Sequence, residues 1–361
     1  MFRKILFFGL LLFLPAFWVN AQRIQVVDSD GLPIACVCVT NEKGVFIGTT
    51  DNDGWLADAK GARVLNLSHL AFKDIAVPLA EIAEGRIVME DVEYVLPDVE
   101  VKPKELAYVQ TYFRMIYLDD DGPLYYRGGV IDNTYEFANH KTSSKTRSLS
   151  KGESGLLRFL ISTLVGGRID KLGQIHDKST YQKILDLAEH GQLTLSTEPS
   201  GRIMVRDSVC TLGYIDTDTV ARTRTTSFNA RRFLANRKNA EAKAKGKKVK
   251  EEKIKAREET YYEVYRIDED GRSRNDDFLM RQWQISAEHS HSSTRYMILL
   301  QAYATDYNYI DKKEYKQLRK ENKVDMDINE LRSFEKAHNI PVLAPDVKAA
   351  VDKLFEKDLS K

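Results

Sequence analysis

The chain has 361 residues, and its 54 lysines and arginines nearly balance its 53 aspartates and glutamates, leaving a formal net charge of +1. A near-neutral chain of this length has room for two domains and gives no general reason to expect nucleic acid as a partner. Its three cysteines, Cys36, Cys38 and Cys210, are too few for a disulfide-built scaffold, and we expect them to be free or one of them to pair elsewhere.

Residues 1–21 have the order of a secretory signal peptide. Two basic residues precede the apolar run Ile5–Trp18, and small or short residues then lead to Ala21. A retained membrane helix is the competing interpretation, but the run is shorter than the roughly 20 apolar residues that span a bilayer. We therefore expect cleavage before Gln22 and no transmembrane segment afterwards. The protein is then exported, to the periplasm, the outer membrane or the cell surface.

Residues 22–102 show short alternating apolar runs separated by turn residues, which predicts an antiparallel β-sandwich. Asn52-Asp53-Gly54 predicts a hairpin between Val45–Ile47 and Trp55–Leu56. Because strand side chains alternate, one face should carry Ala35, Val37 and Val39 and the other Cys36 and Cys38. The remaining runs are Ile24 with Val26, Val64–Leu67, Ile75–Leu79, Arg86–Met89 and Tyr94–Val101.

The motifs of this region agree in order and spacing with a known module. They are Val27-Asp28 with Gly31-Leu32-Pro33-Ile34, then Ala35–Val39, Gly48-Thr49-Thr50-Asp51 with Gly54-Trp55-Leu56, Leu65-Asn66-Leu67-Ser68, and Leu96–Val101. Residues 22–102 thereby resemble the carboxypeptidase regulatory-like domain, a transthyretin-like or immunoglobulin-like β-sandwich of exported proteins in Bacteroidetes-type bacteria. Two positions depart from the family pattern, Ala71-Phe72 in place of Gly-Tyr and Leu56 in place of an aromatic residue.

The resemblance implies an accessory module and brings no peptidase activity with it. None of the seven histidines begins the His-x-x-Glu or His-Glu-x-x-His pattern that a zinc peptidase needs. The module also precedes the plug of outer-membrane transporters, but the charged, helix-patterned end of this chain, 345–361, does not fit their terminal strands. We therefore lean against an enzyme, and no cofactor is indicated.

Residues 103–361 predict an α+β domain with a curved antiparallel sheet and flanking helices. Helices are expected over 103–118, from Ser154 to Val165, over 179–189, and at 312–321, 328–338 and 346–358. Strands are expected over 124–137, 192–196, 202–215, 261–267, 278–286 and 295–310. The segments Tyr112-Phe113-Arg114, Tyr125-Tyr126 and Gly128-Gly129-Val130 resemble the uncharacterised region that often follows the regulatory-like module, which implies no known activity.

The segment 229–259 is rich in lysine and arginine and poor in apolar residues. Such a segment buries little surface, so it predicts a mobile insertion or a solvated helical hairpin. The alternative is a docking element for an anionic surface such as acidic lipid or polysaccharide.

Two clusters have side chains that metals prefer. Glu288, His289 and His291 are the candidate metal ligands, although the polar sequence around them favours a surface turn. Asp119-Asp120-Asp121-Gly122 lacks the ligand spacing of an EF-hand and predicts a solvated turn. No histidine, serine or cysteine has a catalytic motif around it, so we assign no catalytic residue.

Two classes of function remain open. The first is an exported, non-enzymatic envelope protein with a binding or assembly role, whose partner is an envelope protein, a lipid or a polysaccharide. The second is a hydrolase of envelope or dietary polymers, because a glycosidase needs only two carboxylates, which leave no sequence signature. A half-barrel that carries an apolar ligand or lipid is a further alternative, based on fold analogy.

Overall fold

The computed structural model describes residues 23–59, 61–92, 104–153, 174–176, 178–246, 254–289 and 295–356. The expected signal peptide, the expected strand Tyr94–Val101 and the expected helix from Ser154 to Val165 lie outside these residues. The described chain is a β-rich α+β protein with three sheets, which confirms the predicted fold class at this level.

The first two sheets are small and lie within residues 24–88. One has three strands in the order β4-β1-β7 and the other has four in the order β3-β2-β5-β6. A single apolar cluster contains residues of both sheets, so they share one core. The strands are β1 (Ile24–Val27), β2 (Cys38–Asn41), β3 (Phe46–Thr49), β4 (Trp55–Leu56), β5 (Val64–His69), β6 (Phe72–Pro78) and β7 (Arg86–Val88).

The predicted hairpin at Gly54 is wrong. The chain does turn there, since the Gly54 N–H donates to the Asp51 carbonyl at 3.0 Å, but β3 and β4 belong to different sheets. Gly54 has φ +74°, and a Cβ at this position would lie 2.4 Å from the Val26 carbonyl oxygen. Only glycine fits this close approach, which carries the chain from one sheet to the other.

The alternation predicted around the two cysteines holds only in part. Val37 and Val39 lie in the core of the small sheets, whereas Cys36 and Cys38 lie on the opposite side, as expected. Ala35, however, lies with the cysteines. The cause is Cys36, whose φ of +63° interrupts the extended backbone, so that β2 begins only at Cys38. All three cysteines are free, as the sequence suggested.

The third sheet has eleven strands in the order β11-β12-β13-β14-β15-β16-β17-β8-β9-β10-β18. Neighbouring strands are antiparallel except for β10 and β18, which are parallel. The strands are β8 (Leu106–Asp119), β9 (Gly122–Glu136), β10 (Lys141–Glu153), β11 (Thr194–Thr197), β12 (Ile203–Arg206), β13 (Thr211–Asp218), β14 (Thr223–Asn229), β15 (Ile254–Arg266), β16 (Phe278–His289), β17 (Arg295–Ile310) and β18 (Val324–Asp325).

The helix predicted over 103–118 is wrong, because the chain there forms β8. This strand lies in the middle of the large sheet, and all its residues except Gln110 and Asp119 are buried. A strand covered on both faces loses the alternation that identifies an exposed strand, and its apolar residues then match helical spacing by chance. The single strand predicted over 202–215 consists of two strands, β12 and β13, which are joined by a turn.

Five α-helices lie in the described residues: α1 (Thr180–Glu189), α2 (Ala230–Ala244), α3 (Lys312–Leu318), α4 (Ile328–Ala337) and α5 (Pro345–Glu356). All but α2 follow the sequence predictions. Ser179 caps α1 in a capping box with Gln182. None of the described helices has the length and the apolar composition needed to cross a membrane.

The charged segment 229–259 is more ordered at both ends than expected. Its first part is α2, which is anchored by the buried Phe233 with its ring centre 6.0 Å from that of Phe228. Its last part, 254–259, belongs to β15. The charged connection between strands is therefore shorter than the sequence indicated.

The small sheets pack directly against the large sheet. One apolar cluster spans this contact. It contains Ala35, Cys36, Cys38, Phe46 and Leu70 of the N-terminal region together with residues of β8, β16 and β17. Across this contact the Gln282 amide donates to the Cys36 carbonyl at 3.0 Å, and Arg295 donates to the Ile47 carbonyl at 2.7 Å. The N-terminal sheets therefore cover part of one face of the large sheet.

A buried carboxyl lies in the same contact. Both carboxylate oxygens of Asp74, on β6, are buried close to the Ser68 hydroxyl and to the backbone N–H groups of His69 and Ala344. Burial raises the pKa of Asp74 to about 7, although the nearby charge of Arg114 and the Ser68 hydroxyl lower it. The folded protein therefore favours the protonated form of this side chain.

The position of Val37 gives a direct test of the small-sheet core. Val37 is fully buried, so Val37→Asp places an unpaired charge in the core and should lower the free energy of unfolding by about 3 to 5 kcal/mol. Val209→Asp is the matched control, because Val209 is 67% exposed, and it should change stability by less than about 0.5 kcal/mol. Urea unfolding of both variants measures this. Equal midpoints would show that Val37 does not lie in the core.

The buried carboxyl predicts a dependence of stability on pH. Asp74 has a folded-state pKa near 7 and an unfolded value near 3.8, so its contribution is complete at low pH and is lost as the pH rises through 7. Asp74→Asn cannot titrate and should remove this loss, which is at most about 1.4 kcal/mol per pH unit. Urea unfolding between pH 4.5 and 7.5, the range between the unfolded and folded pKa values, compares the two slopes, and parallel curves for wild type and Asp74→Asn would contradict the assignment.

Candidate functional site

The metal site suggested by Glu288, His289 and His291 stays a prediction. The backbone of Glu288 and His289 forms the end of β16, paired with Lys255 and Ile254, but their side chains lie outside the description. His291 lies outside the described residues altogether. Within the ranges that the structure describes, no group of three or more histidine, cysteine, aspartate or glutamate side chains is placed to hold a metal ion.

The acidic turn Asp119-Asp120-Asp121 joins β8 to β9. The Asp121 N–H donates to the Asp119 carboxylate at 2.8 Å, and Asp120 forms an ion pair with Arg295 at 2.9 Å. These carboxylates serve the turn and its contact with β17. The predicted turn is present, but Asp119 and Asp120 are only partly exposed.

The histidines outside that cluster have structural surroundings where they are described. His69 is buried, with its ring centre 4.5 Å from that of Tyr262, and burial lowers its pKa to about 3, so it is neutral. The ring nitrogens of three others form local hydrogen bonds with the Tyr135 hydroxyl, the Asp186 carbonyl and the Phe334 carbonyl; these are His140, His190 and His338.

A large concave feature of the described structure is a cleft between the small sheets and the large sheet. Its volume is about 760 Å³, within the range of roughly 300 to 1,000 Å³ that small-molecule sites occupy. We refer to it as the inter-sheet cleft. It is bounded by the large sheet on one side and by residues of the small sheets on the other.

The floor of the inter-sheet cleft follows from strand alternation. Tyr214, Asp216 and Asp218 are two residues apart on β13, so their side chains share one face of the sheet. Strand pairing extends this face across the sheet, because Asp216 lies opposite Thr225 of β14 and Thr225 lies opposite Val264 of β15. The same face of the sheet therefore contributes these residues to the floor, together with Thr223, Tyr262, Arg266 and Met280.

The opposite wall comes from three separate segments of the N-terminal region. Asp28 and Ile34 flank the first turn, Phe72 begins β6, and Asp91 with Val92 follows β7. Backbone contacts hold these segments together, since Phe72 and Asp91 form an isolated antiparallel bridge and the Val92 N–H donates to the Ala71 carbonyl at 2.9 Å.

Arg202 joins the two sides of the cleft. Its guanidinium forms a bidentate ion pair with Asp216, with Nε to Oδ1 at 2.9 Å and Nη2 to Oδ2 at 2.7 Å. The same group lies 4.1 Å from the centre of the Tyr214 ring and donates to the Pro33 carbonyl at 3.4 Å. A planar, bidentate and stacked guanidinium of this kind has a fixed orientation, so it presents a rigid polar surface to the cleft.

Two carboxyls of the wall have altered acidity. Burial raises the pKa of Asp91, and the charges of Asp28, Asp30 and Asp218 raise it further. Burial also raises the pKa of Asp28, against hydrogen bonds from the backbone of Leu32 and Asp30. Carboxyls with raised pKa values are common at functional sites, where they bind or transfer protons.

The sequence analysis did not identify any residue of this cleft as functional. The alternation Tyr214-x-Asp216-x-Asp218 and Tyr262-x-Val264-x-Arg266 was a usable signal, because each places polar and aromatic side chains on one face of a strand. What the sequence does not supply is the pairing of these strands with each other and with the wall around Asp28 and Asp91.

Comparison with known proteins adds little. No family model matches the chain, and no curated protein matches it. A solved structure of a protein with unknown function from the DUF3598 family of Nostoc punctiforme PCC 73102 is similar over 67% of this chain, at 10% sequence identity and a TM-score of 0.14. The match spans 60% of that protein, less than two thirds of its length, and a TM-score this low carries no argument about fold or function.

Proposed function

We propose that this protein is an exported, non-enzymatic binding protein of the cell envelope and that the inter-sheet cleft holds its ligand. The observation that carries the proposal is the cleft itself, about 760 Å³ in volume, with aromatic and aliphatic side chains beside fixed polar groups. Binding sites for small molecules combine apolar side chains with oriented polar groups. This cleft has both, with seven charged side chains in its lining. The signal-peptide pattern of residues 1–21 supports export, to the periplasm or the cell surface.

Within this proposal, residues 22–102 are a carboxypeptidase regulatory-like β-sandwich. The motif order described above supports this assignment, and so does the shared apolar core of the two small sheets. Its role differs from that of a detached accessory module, because it supplies Asp28, Phe72 and Asp91 to the wall of the cleft. The ligand is a component of the envelope or of its surroundings, such as a lipid, a polysaccharide or part of a protein.

Obstruction of the cleft tests the proposal. Thr225 lies in the middle of the floor, so Thr225→Trp should block the cleft, whereas Val209→Trp adds the same side chain at an exposed turn. The mature wild type and both variants are immobilised and exposed to envelope extract, and the retained small molecules are identified by mass spectrometry. Wild type and Val209→Trp should retain the same compounds, and Thr225→Trp should lose them.

Melting temperatures of the three proteins show whether each variant is folded. If Thr225→Trp is unstable, Ala221→Trp obstructs the same cleft from its exposed rim. Retention of the same compounds by a folded, obstructed variant would place the ligand elsewhere and overturn the proposal.

A second candidate function is hydrolysis of a polysaccharide. The observation in its favour is that Asp28 and Asp91 both line the cleft and that burial, followed by the negative charge of Asp28, raises the pKa of Asp91. Glycosidases use two carboxyls in this way, one protonated as the acid and one ionised.

Replacement of one of these carboxyls separates the two functions. Wild type and Asp91→Asn are incubated with envelope and plant polysaccharides, and newly formed reducing ends are measured between pH 5 and 7. Asp53→Asn, at an exposed turn, is the matched control. A binding protein produces no reducing ends in any of the three. Activity that is present in wild type and Asp53→Asn and lost in Asp91→Asn would establish the hydrolase instead.

A further inference from the structure

The charged side chains of the inter-sheet cleft are close to balance. Four carboxylates line it, those of Asp28, Asp91, Asp216 and Asp218, with three guanidinium groups, those of Arg202, Arg222 and Arg266. Four negative and three positive charges leave a formal excess of one negative charge. A strongly anionic or cationic ligand would therefore meet groups of its own sign along with those of the opposite sign.

Most of these charges are already held in place by the protein. Arg202 pairs with Asp216, and Arg222 pairs with Glu269 at 3.2 Å. Asp28 and Asp218 each use Oδ1 to accept two backbone N–H bonds of their own turns, between 2.8 and 3.0 Å. A carboxylate has about four acceptor sites, so both keep acceptor capacity on Oδ2, which takes no hydrogen bond from the described residues.

The turns around Asp28 and Asp218 therefore fix the direction of two acceptors in the cleft. Acceptors come from Asp28, Asp91 and Asp218, and Thr223 and Thr225 add hydroxyls that both donate and accept. Burial raises the pKa values of the Tyr214 and Tyr262 phenols, which keeps these rings neutral. A ligand rich in hydroxyl groups matches this set of donors and acceptors.

The remaining lining is apolar and partly aromatic. Phe72 lies on the wall, and the sheet side adds Val264, Ile267, Leu279 and Met280. These side chains suit the C–H faces of a sugar ring. A wholly apolar ligand such as a fatty acyl chain would instead cover Asp28, Asp91 and Asp218 without giving them hydrogen bonds, which is unfavourable.

From this combination we infer that the inter-sheet cleft takes a neutral oligosaccharide, with hydroxyl groups at the carboxylates of Asp28, Asp91 and Asp218 and sugar faces against Phe72 and the aliphatic floor. The inference rests on the proposed function and adds the chemical class of the ligand. It excludes acyl chains and polyionic glycans as the preferred ligands of this cleft.

Titration calorimetry with the mature full chain tests the inference. The probes are neutral hexasaccharides of glucose, xylose and mannose, an anionic hexagalacturonate, a cationic glucosamine hexamer and a fluorescent fatty acid. At least one neutral hexasaccharide should bind saturably, and its Kd should stay constant between 50 and 500 mM NaCl, because no net charge is neutralised. Asp218→Ala should weaken this binding about tenfold or more through the lost hydrogen bonds. Thr225→Trp should abolish it, and Val209→Trp should leave it unchanged.

Tighter binding of a charged hexamer or of the fatty acid than of the neutral hexasaccharides would overturn the inference. Unchanged hexasaccharide binding by Thr225→Trp would overturn it as well, because the ligand would then lie outside the cleft. The capture experiment with envelope extract tests the proposed function separately. If no neutral hexasaccharide binds while that capture still depends on an open cleft, the ligand class is wrong and the binding function stands. If Thr225→Trp captures the same compounds as the wild type, the proposed binding function of the cleft is itself wrong.

Discussion

The need to cover both faces of one large antiparallel sheet governs this structure. Strands β8 and β17 pair from Tyr296 with Asp119 to Ile310 with Leu106, and nearly every residue of both strands is buried up to Ala304 of β17. Side chains of such strands need apolar cover on both sides. The N-terminal sheets supply part of that cover over β8, β16 and β17 through Cys36, Cys38, Phe46 and Leu70. The inter-sheet cleft remains where the cover stops, above β13, β14 and β15.

Buried charges fix the position of the elements on this sheet. Glu263 and Arg281 are both almost fully buried and pair at 2.6 Å, while the second oxygen of Glu263 accepts the N–H of Thr180 at 2.7 Å. A buried ion pair of this kind adds little net stability. Removal of one partner is strongly destabilising, because the other charge is then buried without a counter-charge. The first turn of α1 is therefore held at one place on β15. Arg114 acts similarly, because it donates to the Gln301 side chain and the Pro341 carbonyl, both at 2.7 Å.

The parts of the fold that were predictable from the sequence are those governed by local chemistry. The caps at Ser179, Asp311 and Asp327 act within a few residues of themselves, and the helices that follow them lie where expected. The failures have non-local causes. β8 resembled a helix because both of its faces are covered, and β10, Lys141–Glu153, was not predicted, because its many polar residues give no clear strand pattern.

The candidate site was harder to predict from the sequence than the fold. Its floor alternates in a visible way along β13 and β15, but its wall brings together Asp28, Phe72 and Asp91 from three separate segments. The position of Ala35 illustrates the limit on a small scale. A left-handed backbone at Cys36, a residue with no conformational preference for it, moved the preceding side chain to the other core.

The location of the cleft changes what the N-terminal region contributes. A regulatory-like module that only tethered a neighbouring domain would contact it through a small polar surface, since contacts between independent domains resemble transient interfaces. Here the small sheets share an apolar cluster with the large sheet, and Arg202 contacts Asp216 and Tyr214 on one side and the Pro33 carbonyl on the other. Residues 103–361 alone would expose Tyr214, Tyr262 and Met280 as an open surface. The proposed binding by the cleft therefore depends on both regions together, because each supplies one side of it.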